Sequence, residues 1–205
     1  KLLALRPVPQ HISAYSLIVE EGTPFARMAE RGELQLPEEN TERAMYEETR
    51  EILAKYGFHR YEISNYARDG YECFHNVGYW IRRDYLGFGI GAASLVDNVR
   101  FQNGRDLIIY LENPQDCREE EQVLTDQEQM EETMFLGLRL IRGISYEQFE
   151  KQYGRSLSAV YGPVITQNIA DGLLREYTEE SGERFLALTE KGLDVSNYVM
   201  AQFLF

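Results

Sequence analysis

With 205 residues, 43% of them apolar, and a formal net charge of −13, the chain can bury one large core or two smaller ones. Its acidic balance excludes a surface built for nucleic acid or anionic lipid, since either needs clustered Lys and Arg. The two cysteines, Cys73 and Cys117, are too few and too far apart for a disulfide framework and point to a reducing, cytoplasmic compartment. No signal peptide is read, and the longest apolar run, 85–96, is too short and Gly-rich to span a bilayer.

The opening KLLALRPVPQH lacks an initiator Met and reads as the tail of a helix, a Pro-bounded loop and the entry to a buried strand. A barrel or doubly wound sheet entered midway has this look, so a C-terminal fragment is expected. Residues 12–19, ISAYSLIV, form a nearly continuous apolar run, the pattern of a strand covered on both faces. A turn follows, and Pro24 suits the first position of a helix. The spacing of Met45, Thr49, Ile52, Leu53 and Tyr56 predicts a helix over 37–56, with Glu38 and Glu39 in its first turn and Gly57 as its cap. Residues 58–67 alternate as a strand, and a helix between two such strands suggests a parallel βαβ unit. Glu62 lies inside that strand, either as a proton-handling group facing a pocket or as a solvated carboxylate at a strand end.

Asp69 and Gly70 turn the chain into the stretch that stands out, YECFHNVGYWIRRDYLGFGIGAAS over 71–94. A strand-sized window there carries His75, Asn76, Tyr79 and Trp80, a flat apolar wall with one basic nitrogen that suits a planar cofactor as well as a core. His75 beside Asn76 equally fits a hydrogen-bonded structural residue. Gly87, Gly89 and Gly91 mark close backbone approach to a ligand or another strand, or a bulge. GFGIGAAS ends in Ser and lacks an acidic ribose partner, so it is weak as a phosphate fingerprint. Cys73 and His75 form C-x-H, two metal-ligand types two positions apart, but without a second pair nearby this is weak as a zinc site.

Beyond Asp97 and Asn98, a hairpin turn is expected at Gly104 and Arg105, and a helical turn over 107–111 ends at Asn113 and Pro114. The acidic segment 115–124 reads as a domain linker. Thr125 with Glu128, and Ser145 with Gln148, are capping boxes that open two helices. Ser156 opens a third, with Pro163 as its true start or a kink. Two short strands around Ser181 and Gly182 and a last helix over 193–203 complete a winged-helix arrangement. Its third helix carries no Lys or Arg beyond the preceding Arg155, and its wing holds Glu176, Glu179, Glu180 and Glu183, which excludes phosphate binding.

Four segments, HISAYSLIVEEGTPF, YEISNYA, HNVGYW and DYLGFGIGAAS, together resemble the second half of the oxygen-independent coproporphyrinogen III oxidase family of radical S-adenosylmethionine proteins. Within that family the chain is most similar to the HemW-type heme chaperone branch, in which H-N-x-x-Y-W is associated with heme. The resemblance implies an α/β fold: the C-terminal part of a partial (β/α) radical S-adenosylmethionine barrel over 1–114, the acidic linker 115–124, and a small α+β winged-helix-like domain over 125–205. It also implies heme binding by His75 as axial ligand, with Asn76 orienting the imidazole and Tyr79 and Trp80 walling the porphyrin. Tyr15, Leu17, Gly89, Gly91, Ala92 and Ala93 are implied to line the S-adenosylmethionine pocket.

One departure qualifies these implications. The family's [4Fe–4S] cluster needs three thiolates in C-x-x-x-C-x-x-C, and this chain has two isolated cysteines, so it should be inactive alone. The expected function is that of a heme-binding chaperone-like fragment delivering heme to an acceptor protein. The alternatives are an oxygen-independent coproporphyrinogen III oxidase and a non-catalytic winged-helix interaction module. A dimer through the exposed strand edge at 12–19 is a further expectation.

Overall fold

The computed structural model describes residues 5–115 and 117–204; the helix tail expected at 1–4 and Asp116 of the acidic run lie outside the described residues. The chain divides into two compact units, Lys1–Cys73 and Phe74–Phe205.

The first unit contains β1 (His11–Ser13), α1 (Pro24–Glu30), α2 (Glu39–Lys55), β2 (His59–Arg60) and β3 (Asn65–Ala67). Thr23 caps α1 by accepting from the Ala26 amide at 3.1 Å, with Pro24 at its first position as expected. α2 ends at Gly57, whose φ of +79° is the left-handed conformation that lets the chain reverse. Leu53, Phe58 and Tyr66 form the core, with Ile12 and Ala14 packed against it.

Two expectations for this unit are corrected. The strand over 12–19 shortens to three residues, and Tyr15, Leu17 and Ile18 are exposed. After Ala14, whose amide reaches the Ser64 carbonyl at 2.9 Å, the segment has no ladder partner among the described residues. The parallel βαβ pairing is also replaced. β1 and β2 run in the same direction, but β3 lies between them and opposes both, pairing His11 and His59 alike with Ala67. The reversal occurs at 62–64, where the Glu62 carboxylate accepts from the Ser64 amide at 2.8 Å and from the Asn65 side chain at 2.5 Å. Such local side-chain bonds fold one expected strand into two.

The second unit begins with α3 (Phe74–Trp80), β4 (Ala93–Val96), β5 (Val99–Asn103), α4 (Leu107–Glu112) and β6 (Arg118–Val123). Strands β4, β5 and β6 form an antiparallel sheet in that order. The hairpin turn is Asp97–Asn98, not Gly104–Arg105: both residues have positive φ, 51° and 61°, the requirement of a type I′ turn. The acidic segment expected to be a linker is β6. Its backbone pairs with β5 while its side chains stay exposed, so the charges remain solvated along a sheet edge.

The chain continues through α5 (Asp126–Gly137), β7 (Ile144–Ser145), α6 (Tyr146–Tyr153), α7 (Leu157–Ala170), β8 (Leu174–Thr178), β9 (Arg184–Leu188), α8 (Glu190–Asp194) and α9 (Ser196–Ala201). Thr125 and Glu128 form the complete capping box, and α7 runs through Pro163 without stopping. β9 is the centre of the antiparallel sheet β7-β9-β8. Phe149, Tyr161 and Phe203 pack ring against ring in the core beside Met134, Leu157 and Leu186, all nearly or fully buried. Each such side chain contributes roughly 1.5–3 kcal/mol by leaving water.

Candidate functional site

The segment FHNVGYW folds as the helix α3, not as the strand its aromatic content suggested. On a helix, His75 and Tyr79 lie one turn apart on a shared face, whereas Trp80 is rotated by roughly 140° from His75. The contacts follow that geometry. The His75 and Tyr79 rings meet edge to face with centroids 4.7 Å apart, and Tyr79 meets Tyr85 in the same way at 4.7 Å. Trp80 instead turns towards the segment after α5, where the Arg139 guanidinium lies over its ring, 4.4 Å from the centroid. Among the described residues, no hydrogen bond joins Asn76 to the imidazole, and Asn76 is half-buried.

His75 is exposed, and among the described residues its nitrogens have no hydrogen-bond or ion-pair partner. Phe74, next in the chain, is 79% exposed. An accessible imidazole nitrogen is the kind of group that ligates heme iron, while the uncovered Phe74 ring, one residue earlier on α3, is rotated by about 100° from His75. Sequence reasoning passed over Phe74, although its place beside His75 was visible.

Glycines in the following loop divide by cause. A Cβ on Gly87 would lie 2.3 Å from the Ala93 carbonyl oxygen, so the close approach there is to this chain's own β4. Gly89 and Gly91 have φ of +100° and +65°. The Gly89 amide donates to the Tyr110 hydroxyl at 2.8 Å, and Asn103 Nδ2 donates to the Gly89 carbonyl at 2.9 Å. Ala92 and Ala93 lead into β4, Ala92 half-buried and Ala93 exposed.

Tyr15 and Leu17 belong to the first unit. They line an open cleft of about 350 Å³ with Leu36, Met45, Tyr46 and Thr49. Glu62 is fully buried nearby in sequence to β3, and Asn65, which donates to it, accepts in turn from Ser13 Oγ at 2.5 Å. Replacing Glu62 with Ala leaves the Asn65 amide and the Ser64 N–H short of an acceptor, an expected loss of about 2 kcal/mol by urea denaturation. A loss below about 0.5 kcal/mol would show that this carboxylate does not hold the turn.

Sequence reasoning also missed a buried charge cluster behind α3. Arg82 lies in the left-handed region, with φ of 51°, and its side chain is only 2% exposed. Its guanidinium donates to Glu132 Oε2 at 2.9 Å, to Asn98 Oδ1 at 3.3 Å and to the Tyr153 hydroxyl at 3.4 Å. Arg100 pairs with the other Glu132 oxygen at 2.7 Å. The Arg-Arg-Asp run inside an otherwise apolar stretch was the available signal. Burial pushes the Tyr85 phenol up, and the Arg100 guanidinium beside it opposes that shift. Cys73 is half-buried, and Cys117 is buried with its thiol donating to the Pro114 carbonyl at 3.3 Å, so these two residues do not fit a [4Fe–4S] cluster. Among the described residues no helix is long and apolar enough to cross a membrane.

The HemN C-terminal domain family matches residues 124–195. Over 195 residues the chain is 38% identical to the heme chaperone HemW of Lactococcus lactis, covering 95% of this chain and 50% of that protein. It is 37% identical over 199 residues to the heme chaperone HemW of Bacillus subtilis, covering 95% of this chain and 51% of that protein. Thus the chain spans about half the length of the curated relatives it matches. Among solved structures, the Escherichia coli coproporphyrinogen III oxidase HemN, described as a radical S-adenosylmethionine enzyme, superposes with a TM-score of 0.67 at 17% identity. That match covers 95% of this chain and 48% of HemN, and it shows a shared mixed α/β fold.

Proposed function

Because the chain belongs to the HemN- and HemW-like family of radical S-adenosylmethionine proteins, we propose that it is the heme-binding half of a heme chaperone, which receives heme at His75 and passes it to an acceptor protein. The observation that carries this reading is the exposed His75 imidazole, with no competing partner among the described residues, set edge-on against Tyr79. His75 would hold the heme iron through an imidazole nitrogen, with Tyr79 set edge-on to its ring, and the exposed Phe74 would add apolar surface on a neighbouring face of α3. Trp80, turned away onto Arg139, anchors the helix in this reading. An exposed site suits a carrier, since heme held at a surface can be handed on.

The remaining parts of the reading rest on the family. For S-adenosylmethionine the family resemblance singles out Tyr15 and Leu17, in the cleft of the first unit, and, separately, Gly89, Gly91, Ala92 and Ala93 in the loop of the second unit, with the cluster ligands supplied by sequence outside this chain. The first 114 residues are proposed to complete part of a (β/α) barrel. α5, α6 and α7 with the hairpin β8–β9 support a winged-helix domain, which the acidic surface suits to a protein partner better than to DNA.

The test is a heme titration followed by absorbance on the intact protein and on His75→Ala. A saturable Soret change is expected in the wild type and its loss in the variant, with the fold unchanged by circular dichroism. The fold likeness to HemN favours oxidative decarboxylation of coproporphyrinogen III as the second reading. Turnover of that substrate with no heme binding would replace the first reading by the second.

A further inference from the structure

A helix of seven residues does not hold itself together in water, so the direction in which α3 presents His75 is imposed by its neighbours. Two sets of contacts impose it. On the open face, Tyr79 sits edge-on between His75 and Tyr85, and Tyr85 is held by a backbone pair with Leu95 at 2.8 and 3.0 Å. At the C-terminal end the chain leaves α3 through Arg82, at a left-handed position that usually falls to Gly. The Arg82 amide bonds back to the Tyr79 carbonyl at 3.1 Å, and the next amide, of Arg83, to the Gly78 carbonyl at 2.8 Å. There its buried guanidinium reaches Glu132, Asn98 and Tyr153, contacts that offset the backbone cost of an arginine at positive φ.

Both sets converge on one carboxylate. Glu132 of α5 binds Arg82 through Oε2 and Arg100 through Oε1, and Arg100 stands opposite Leu95, the residue that pairs with Tyr85 on its other side. We propose that Glu132 is a positioning residue for the heme site: through Arg82 and Arg100 it sets the attitude of α3 and of the tyrosine pair, and so the direction of the His75 imidazole. This rests on the heme-binding reading above. It assigns to a residue within the HemN C-terminal domain match, outside H-N-x-x-Y-W, a part in holding the ligand.

Glu132→Gln in the intact protein keeps the shape and removes the charge. Heme binding is expected to weaken by about tenfold, the scale for groups that orient a metal ligand, with a displaced Soret maximum and unchanged far-ultraviolet circular dichroism. In the heme-free protein the His75 ring proton resonances should move as the edge contact with Tyr79 loosens, a change that a merely stabilising ion pair would not produce. Tyr85→Leu, which leaves the Arg82–Glu132 pair in place, should move the same resonances. A folded Glu132→Gln with wild-type affinity, Soret maximum and His75 resonances overturns the proposal. If that variant does not fold, unchanged His75 resonances in Tyr85→Leu overturn it instead. Absence of heme binding by the wild type sinks the reading of the site, while the heme-free resonances still decide whether Glu132 positions His75.

Discussion

Replacing Gly143 with Ala should cost the C-terminal part of the chain about 4 kcal/mol, at the upper end of single-substitution effects. Gly143 stands just before β7 with φ of +78°, and a Cβ there would lie 2.0 Å from the Leu186 carbonyl oxygen and 2.8 Å from the Ala187 Cα. Both atoms are backbone of β9, the central strand of its sheet, so no side chain can swing aside to make room. The expected result is a fall in melting temperature of roughly 10 °C. Gly154 provides the control. It has a similar φ of +64° but open space around a Cβ, so Gly154→Ala should lose only about 1 kcal/mol, from backbone conformation alone. Equal losses at the two positions would mean that the close approach of Gly143 to β9 does not hold.

Arg82→Ala is the second large effect, an expected loss of about 3 kcal/mol, because it breaks a buried ion pair and keeps the backbone cost of a left-handed residue. Glu132 retains Arg100, which keeps the loss from being larger. Arg82→Gly removes the same side chain but relieves the conformation, so it should be about 1 kcal/mol more stable than Arg82→Ala. Chemical denaturation of the pair separates the two contributions. If Gly is no more stable than Ala, position 82 is not held at positive φ, and the account of how α3 ends fails with it.

How much was legible in the sequence depended on the range of the interaction concerned. Thr23 with Pro24, the Thr125 and Glu128 box, Ser145, Ser156, and the glycines at 57, 154 and 172 act over a few residues, and the structure has caps or turns at each. The two hairpin strands around Gly182 were legible for the same reason. Strand length and direction in the first unit were not. Residues 15–18 look like buried strand by composition but lie exposed, because pairing requires a partner and β3 extends only from Asn65 to Ala67. The acidic run read as a linker because charge was weighed and edge pairing was not.

At the candidate site the division is the same. The sequence by itself determined the chemistry on offer: one imidazole, its aromatic neighbours, glycines able to take positive φ, and too few thiolates for a cluster. It also determined kinship, through four motifs in order. Only the tertiary structure decided that H-N-x-x-Y-W is a helix, that Tyr79 and not Trp80 touches His75, and that a carboxylate some fifty residues downstream, Glu132, bridges Arg82 at the helix end and Arg100 of β5. The physical reason is that a short helix takes its conformation and its direction from whatever packs against it, and those partners lie too far along the chain for local spacing to reveal.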